Sequence, residues 1–139
     1  MFIKHGLELQ DAETILAGCK AEAIRMSRAV SIAVTDEAGA PLGMLRLDGA
    51  SPFTADMALE KGKSAALGRR PTKAFEDTIN NGRTSLLTAP TLRALVEGGV
   101  PIVHAGHTIG AVGVSGAKST EDVQIATAGI ATLLPAAAQ

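Results

Sequence analysis

The stretch Gly98–Ala117, GGVPIVHAGHTIGAVGVSGA, concentrates the chain's glycine and β-branched residues and holds two of its three histidines. Pro101 to His104 and Thr108 to Ser115 are rich in Val and Ile, which suit the pleated, buried surface of a sheet. Only Ala105-Gly106-His107 interrupts them, so the stretch predicts a tight β-hairpin. Gly110, Gly113 and Gly116 are costly inside regular strands. Their density implies that another backbone, a subunit or a ligand comes close.

Working outward toward the N-terminus, Leu9, Ala12, Leu16, Cys19, Ala23 and Met26 recur every three or four residues and predict one face of a helix over Gln10–Ser27. Asp11 and Glu13 in its first turn and Arg25 and Arg28 at its end suit the helix dipole. Cys19 on the apolar stripe reads as a small buried hydrophobe. Ala29–Thr35 and Leu42–Leu47, joined by a turn with Asp36, Gly39 and Pro41, predict a second hairpin. Ser51-Pro52 is a helix start, and the helix runs to about Gly68, where Pro71 excludes continuation. Its face Ala55, Ala58, Gly62, Ala65, Ala66 is almost wholly small. Thr72 is expected to cap a short helix through Ile79, followed by a turn or loop over Arg83–Pro90 and a strand over Thr91–Glu97. Ser119-Thr120-Glu121-Asp122 opens a last helix to about Leu134, and the alanines after Pro135 are expected to fray. The order is helix, two strands, two helices, three strands, helix: an α+β domain with one central sheet.

The 139 residues suit one domain, residues 1–139. Thirteen basic against fourteen acidic residues leave a net charge of -1, which gives no broad basic field for nucleic acid. The lone Cys19 excludes an internal disulfide, and MFIKHGLEL lacks the apolar core of a secretory signal, so the expectation is a cytoplasmic protein. No apolar run approaches the roughly 18 residues of a membrane span. With three Phe and no Tyr or Trp, packing must rely on closely approaching backbones, as in tight homo-oligomers.

Several familiar site patterns fail. Gly106, Gly110, Gly113 and Gly116 do not make the dinucleotide fingerprint GxGxxG. Gly113-Val114-Ser115-Gly116-Ala117 lacks the second glycine of GxSxG, and Gly116-Ala117-Lys118-Ser119 has Ala where a Walker loop needs Gly. HExxH spacing and a cysteine cluster are both absent, so no metal site is expected. Regular pairing would turn His104 to the side of Ile102 and leave His107 at the turn. Either histidine has the chemistry of an axial haem ligand; the alternative is a polar hairpin tip. His5, near the terminus, reads as solvated. Arg46 and Asp48, where charge reappears after the second strand, read either as a solvated ion pair or as ligand contacts.

The chain resembles the GlcG/HbpS family of haem-binding and haem-degrading-like proteins, which includes the C-terminal domain of some corrinoid adenosyltransferases. The resemblance rests on Ser31-Ile32-Ala33-Val34-Thr35-Asp36 with Gly39 and Pro41, Arg46-Leu47-Asp48-Gly49-Ala50, the helix around Ala58, Lys61 and Ala65, and Gly98-Gly99-Val100-Pro101-Ile102. Its most specific part is Ile109–Ala117, with Glu121-Asp122 and Ile125-Ala126 beyond. It implies a profilin-like fold, a five-stranded antiparallel sheet with helices packed around it, and homo-oligomers. It also implies a small-molecule-binding protein, with haem or another tetrapyrrole as ligand and cofactor. On that reading His104 or His107 is the axial ligand, and Arg46 or Lys61 lies near the propionates. The alternative is an enzyme of small-molecule catabolism in which Arg46 and Lys61 hold a carboxylate while His104, Asp48 or Glu121 moves a proton. A third reading is a purely structural oligomer.

Overall fold

The computed structural model describes residues 1–135. Its order is α1 (Leu9–Arg25), β1 (Ser31–Asp36), β2 (Pro41–Arg46), α2 (Pro52–Gly68), α3 (Thr72–Asn80), a 3₁₀ turn (Thr84–Thr88), β3 (Gly99–His104), β4 (His107–Ser115) and α4 (Ser119–Leu133). The expected fraying of Ala136–Ala138 falls outside the described residues. No helix among the described residues is long and apolar enough to cross a membrane.

The sheet is antiparallel in the order β2-β1-β4-β3 and has four strands, not the five expected. The expected strand over Thr91–Glu97 is irregular chain. Thr91 at φ +66 and Ala94 at φ +49 lie in the left-handed region, which no strand accommodates. Side chains hold the segment instead. Ser64 Oγ donates to the Arg93 carbonyl at 2.6 Å and accepts the Arg93 N–H at 2.8 Å, and Glu76 accepts the Glu97 N–H at 2.8 Å.

Alternation along β1 and β4 gives the sheet two unlike faces. One carries Ile32, Val34, Ile102, Val112 and Val114, and packs with Ala12, Ile15, Leu16 and Cys19 of α1 and Ile125, Ala126 and Ile130 of α4 in the main core. The other carries the cross-strand pairs Ala33 with Gly113 and Thr35 with Ala111, and α2 lies directly on it. Every residue there is small, so helix and sheet backbones meet. A Cβ on Gly62 would stand 3.2 Å from the Gly113 nitrogen. The glycines of β4 and the Ala-rich face of α2 are thus two halves of one contact. Leu9, placed by its spacing on the core face of α1, is exposed at the helix start.

The β3–β4 turn is Ala105-Gly106, at φ +50 and +78, the paired left-handed conformation whose twist matches an antiparallel ribbon. Ile102 pairs with Gly110 but Val103 with Thr108, so Ile109 is the extra residue of a β-bulge. At the other end of β3, the Val114 N–H donates to the Gly98 carbonyl. By alternation from that bond, the Pro101 nitrogen faces away from β4, the one side on which a strand tolerates proline. Thr72 does not cap α3. Its hydroxyl accepts the outward Gly99 N–H at 2.8 Å and lies 3.5 Å from the Gly99 carbonyl oxygen.

Candidate functional site

The strand register divides five of the six residues singled out in the sequence between two ends of the sheet; the sixth, Lys61, lies on α2. Arg46 pairs with Ser31, and Ser31 with Ser115, so Arg46, Asp48 and the start of α4 share one end. His104 and His107 flank the turn at the other. The nine residues of β4 put roughly 25 Å between these ends. Within one chain, Arg46 and His104 therefore do not converge on one small ligand.

At the first end, Asp48 lines an open pocket of about 400 Å³ with Lys20, Ile24, Ser27, Arg28, Ala29 and Leu47. Arg28 grips Glu121 with two bonds of 3.0 Å, and Glu121 also accepts the Lys118 N–H at 3.2 Å at the α4 N-terminus. These hydrogen bonds, the Arg28 guanidinium first, hold the Glu121 carboxyl below its ordinary value. Glu121 is thereby occupied in joining α4 to the end of α1. Arg46 is exposed.

Lys61 is buried between α2 and the sheet, 3% exposed, which excludes it as a surface contact for propionates or for a carboxylate substrate. Its ammonium donates to the Val114 carbonyl at 3.0 Å and lies 3.4 Å from Asp122 Oδ2. Asp122 Oδ1 accepts the Ala117 N–H at 3.0 Å. Burial pushes the Asp122 carboxyl up to about 6, and Lys61 offsets only part of that effect. A Cβ on Gly98, at φ +137, would lie 2.6 Å from the Lys61 ammonium, so the glycine leaves room for the cation. Asp122 read from sequence only as a first-turn helix acid; its pairing 61 residues away left no local signal. Burial raises the Cys19 thiol to about 12, in keeping with a packing role.

The hairpin end differs. His104 lines a pocket of about 210 Å³ with His5, Gly6, Leu7, Asp11, Ile109, Leu133 and Leu134. The His5 and His104 rings meet edge to face, centroids 5.2 Å apart and planes at 89°. His104 Nδ1 is buried and has no hydrogen-bond partner among the described residues, at a cost of about 1–3 kcal/mol. His107 is exposed and lines a different pocket, of about 490 Å³, with Phe2, Lys4, Glu37, Arg69, Val103, Gly106 and Thr108. The N-terminal arm serves both: Phe2 and Lys4 reach one pocket, His5 to Leu7 the other. His5 is exposed, as expected, and its ring still packs edge to face on His104. Among the described residues no three His, Cys, Asp or Glu side chains cluster as metal ligands.

The helix-covered antiparallel sheet has close counterparts. A family model for the haem-degrading protein HbpS-like group matches residues 7–131, and the chain belongs to that family. It is 50% identical over 109 residues to Protein GlcG of Escherichia coli strain K12, covering 78% of this chain and 81% of that protein. HbpS of Streptomyces reticuli, solved as a double mutant, superposes with a TM-score of 0.87 at 30% identity, covering 96% of this chain and 90% of that one. A PduOC–haem complex shares the fold, with a TM-score of 0.83 at 20% identity over 92% of this chain and 95% of that one.

Proposed function

We propose that the protein binds a tetrapyrrole of the haem type at the tip of the β3–β4 hairpin, beneath its N-terminal arm. The observation that carries this reading is the orphaned Nδ1 of His104, held beside a second imidazole in a pocket that also carries Asp11 and the apolar Leu7, Ile109 and Leu133. A buried ring nitrogen without a partner carries a cost until a ligand or donor reaches it, and relief of that cost favours binding. The donor set fits the group: imidazole nitrogens are common axial ligands of haem iron. His5 and His104 are the residues to hold the iron. Leu7, Ile109 and Leu133 supply apolar wall, and Lys4 and Arg69 around the neighbouring pocket are cations suited to the propionates. Lys61, buried with Asp122, has no part in it, and Arg46 lies at the wrong end of the sheet. Haem, when bound, supplies an iron centre capable of redox chemistry. The family's haem-degrading members and the fold relative solved with haem support the same ligand class.

Titrating the purified protein with haemin is expected to give a saturable Soret shift, with affinity at least tenfold weaker in His104→Ala and His5→Ala. No shift in the wild type, or full affinity in both variants, overturns the reading. The proposal includes self-association, supported by the exposed Met1, Phe2, Ile3, Ile24 and Phe53. Size-exclusion chromatography should give a mass above that of one chain, and elution as a monomer contradicts it.

A further inference from the structure

A pocket remote in sequence from the hairpin lies where the end of α2, helix α3 and the 3₁₀ turn meet. It holds about 280 Å³ and is lined by Gly68, Arg70, Phe75, Thr78, Arg83, Leu86 and Leu92. Two cations and three large apolar side chains line it, and no carboxylate does. Phe75, 6% exposed, forms the apolar floor, seated against Gly68 because any Cβ there would strike its ring. Arg70 is held in place twice: its guanidinium carbon stands 5.3 Å from the centre of the Phe75 ring, and its Nε donates to the Gly68 carbonyl at 3.3 Å. Its two terminal nitrogens make no hydrogen bond among the described residues. Arg83 follows the turn Asn81-Gly82, with Gly82 at φ +109, and its side chain has no ion-pair partner among the described residues. Every ion pair among the described residues involves Arg25, Arg28, Lys61 or Lys73, so both arginines of this pocket are unneutralised.

From this we infer that the pocket is a binding site for a small organic carboxylate, its acid group read by Arg70 and Arg83 and its apolar body resting on Phe75, Leu86 and Leu92. The planar guanidinium fork matches a carboxylate's two oxygens and is less strongly hydrated than an ammonium, so it suits a site half lined by hydrocarbon. The apolar half selects against inorganic anions, for which it offers nothing. The volume lies at the low end for small-molecule sites, in keeping with a small acid. The site is distinct from the histidine pair and shares no lining residue with it.

The test uses the intact chain and benzoate as the probe, followed by amide chemical shifts at low salt. Benzoate is expected to shift the Gly68, Thr78, Arg83 and Leu86 amides saturably. Benzamide, its neutral isostere, should bind at least tenfold more weakly, and inorganic phosphate at matched ionic strength should leave these amides unmoved. Arg83 is exposed and bonded only through its backbone, so Arg83→Gln should keep the wild-type spectrum elsewhere and bind benzoate at least tenfold more weakly, with the haemin titration unchanged. Equal binding of benzamide overturns the inference, as does equal binding of phosphate, unchanged affinity in Arg83→Gln, or no benzoate shift at all. Those outcomes are independent of whether haemin binds, so either assignment can fail alone.

Discussion

Gly113→Ala is expected to lower the melting temperature by about 10 °C or to prevent folding, on a loss of about 3 kcal/mol or more. The added methyl would overlap the Ala58 carbonyl oxygen and stand 2.5 Å from the Gly62 nitrogen. Both are backbone atoms of α2, so no side chain can swing aside. The helix would have to lift from a face that is small throughout, breaking its contact with all four strands together. Gly6→Ala, which meets nothing within 4 Å, is the control and should stay within about 0.5 kcal/mol of wild type. A thermal melt of Gly113→Ala within a degree of wild type would show that α2 does not rest on β4 in this way.

Lys61→Met should cost about 3–5 kcal/mol at pH 8, because removing one member of a buried ion pair leaves the other uncompensated. The pH dependence separates this from simple loss of packing. In the wild type the Asp122 carboxyl, raised mainly by burial to about 6, lies above its unfolded value. Its contribution therefore favours the fold fully below about pH 4 and is lost as pH rises through about 6. Without the cation the folded value moves higher still, and the carboxylate charge becomes costlier. The deficit of Lys61→Met should then be largest at pH 8 and narrow at pH 5, where Asp122 takes up a proton and sits as a neutral acid. Urea denaturation at the two pH values measures it, and the same deficit at both would sink the account.

Both predictions concern features that local sequence patterns reveal unequally. The β3–β4 hairpin, the α2 start at Ser51-Pro52 and the match between small residues on α2 and glycines on β4 are legible, because each follows from composition and spacing along a short run. Thr91–Glu97 misleads for the same reason. Its Leu92, Leu95 and Val96 have strand composition, yet bonds from Ser64 and Glu76 hold it in left-handed turns that no local pattern announces. The site is less legible than the fold. His104 could be singled out, but its neighbour His5 lies 99 positions earlier in a terminal segment that sequence alone reads as solvated. Lys61 looked available to a ligand until Asp122 took its charge. Arg70 and Arg83 belong to different turns and meet only through the packing of α3 against the end of α2.

Pro101 of β3 and Thr72 of α3, which lies against that strand, have a consequence for how copies of this chain can meet. An edge strand invites another strand by offering alternate outward N–H and carbonyl groups. On β3 the first such donor, at Gly99, is already given to Thr72, and the next, at Pro101, does not exist. An incoming chain would find no donor to accept along the middle of that edge, so the sheet cannot be extended there into a continuous ribbon. Association of copies is steered toward β2 or toward the outer surfaces of the helices. A glycine-rich, β-rich hairpin of the kind that promotes fibrils in isolation is in this way sealed by one ring nitrogen and one hydroxyl.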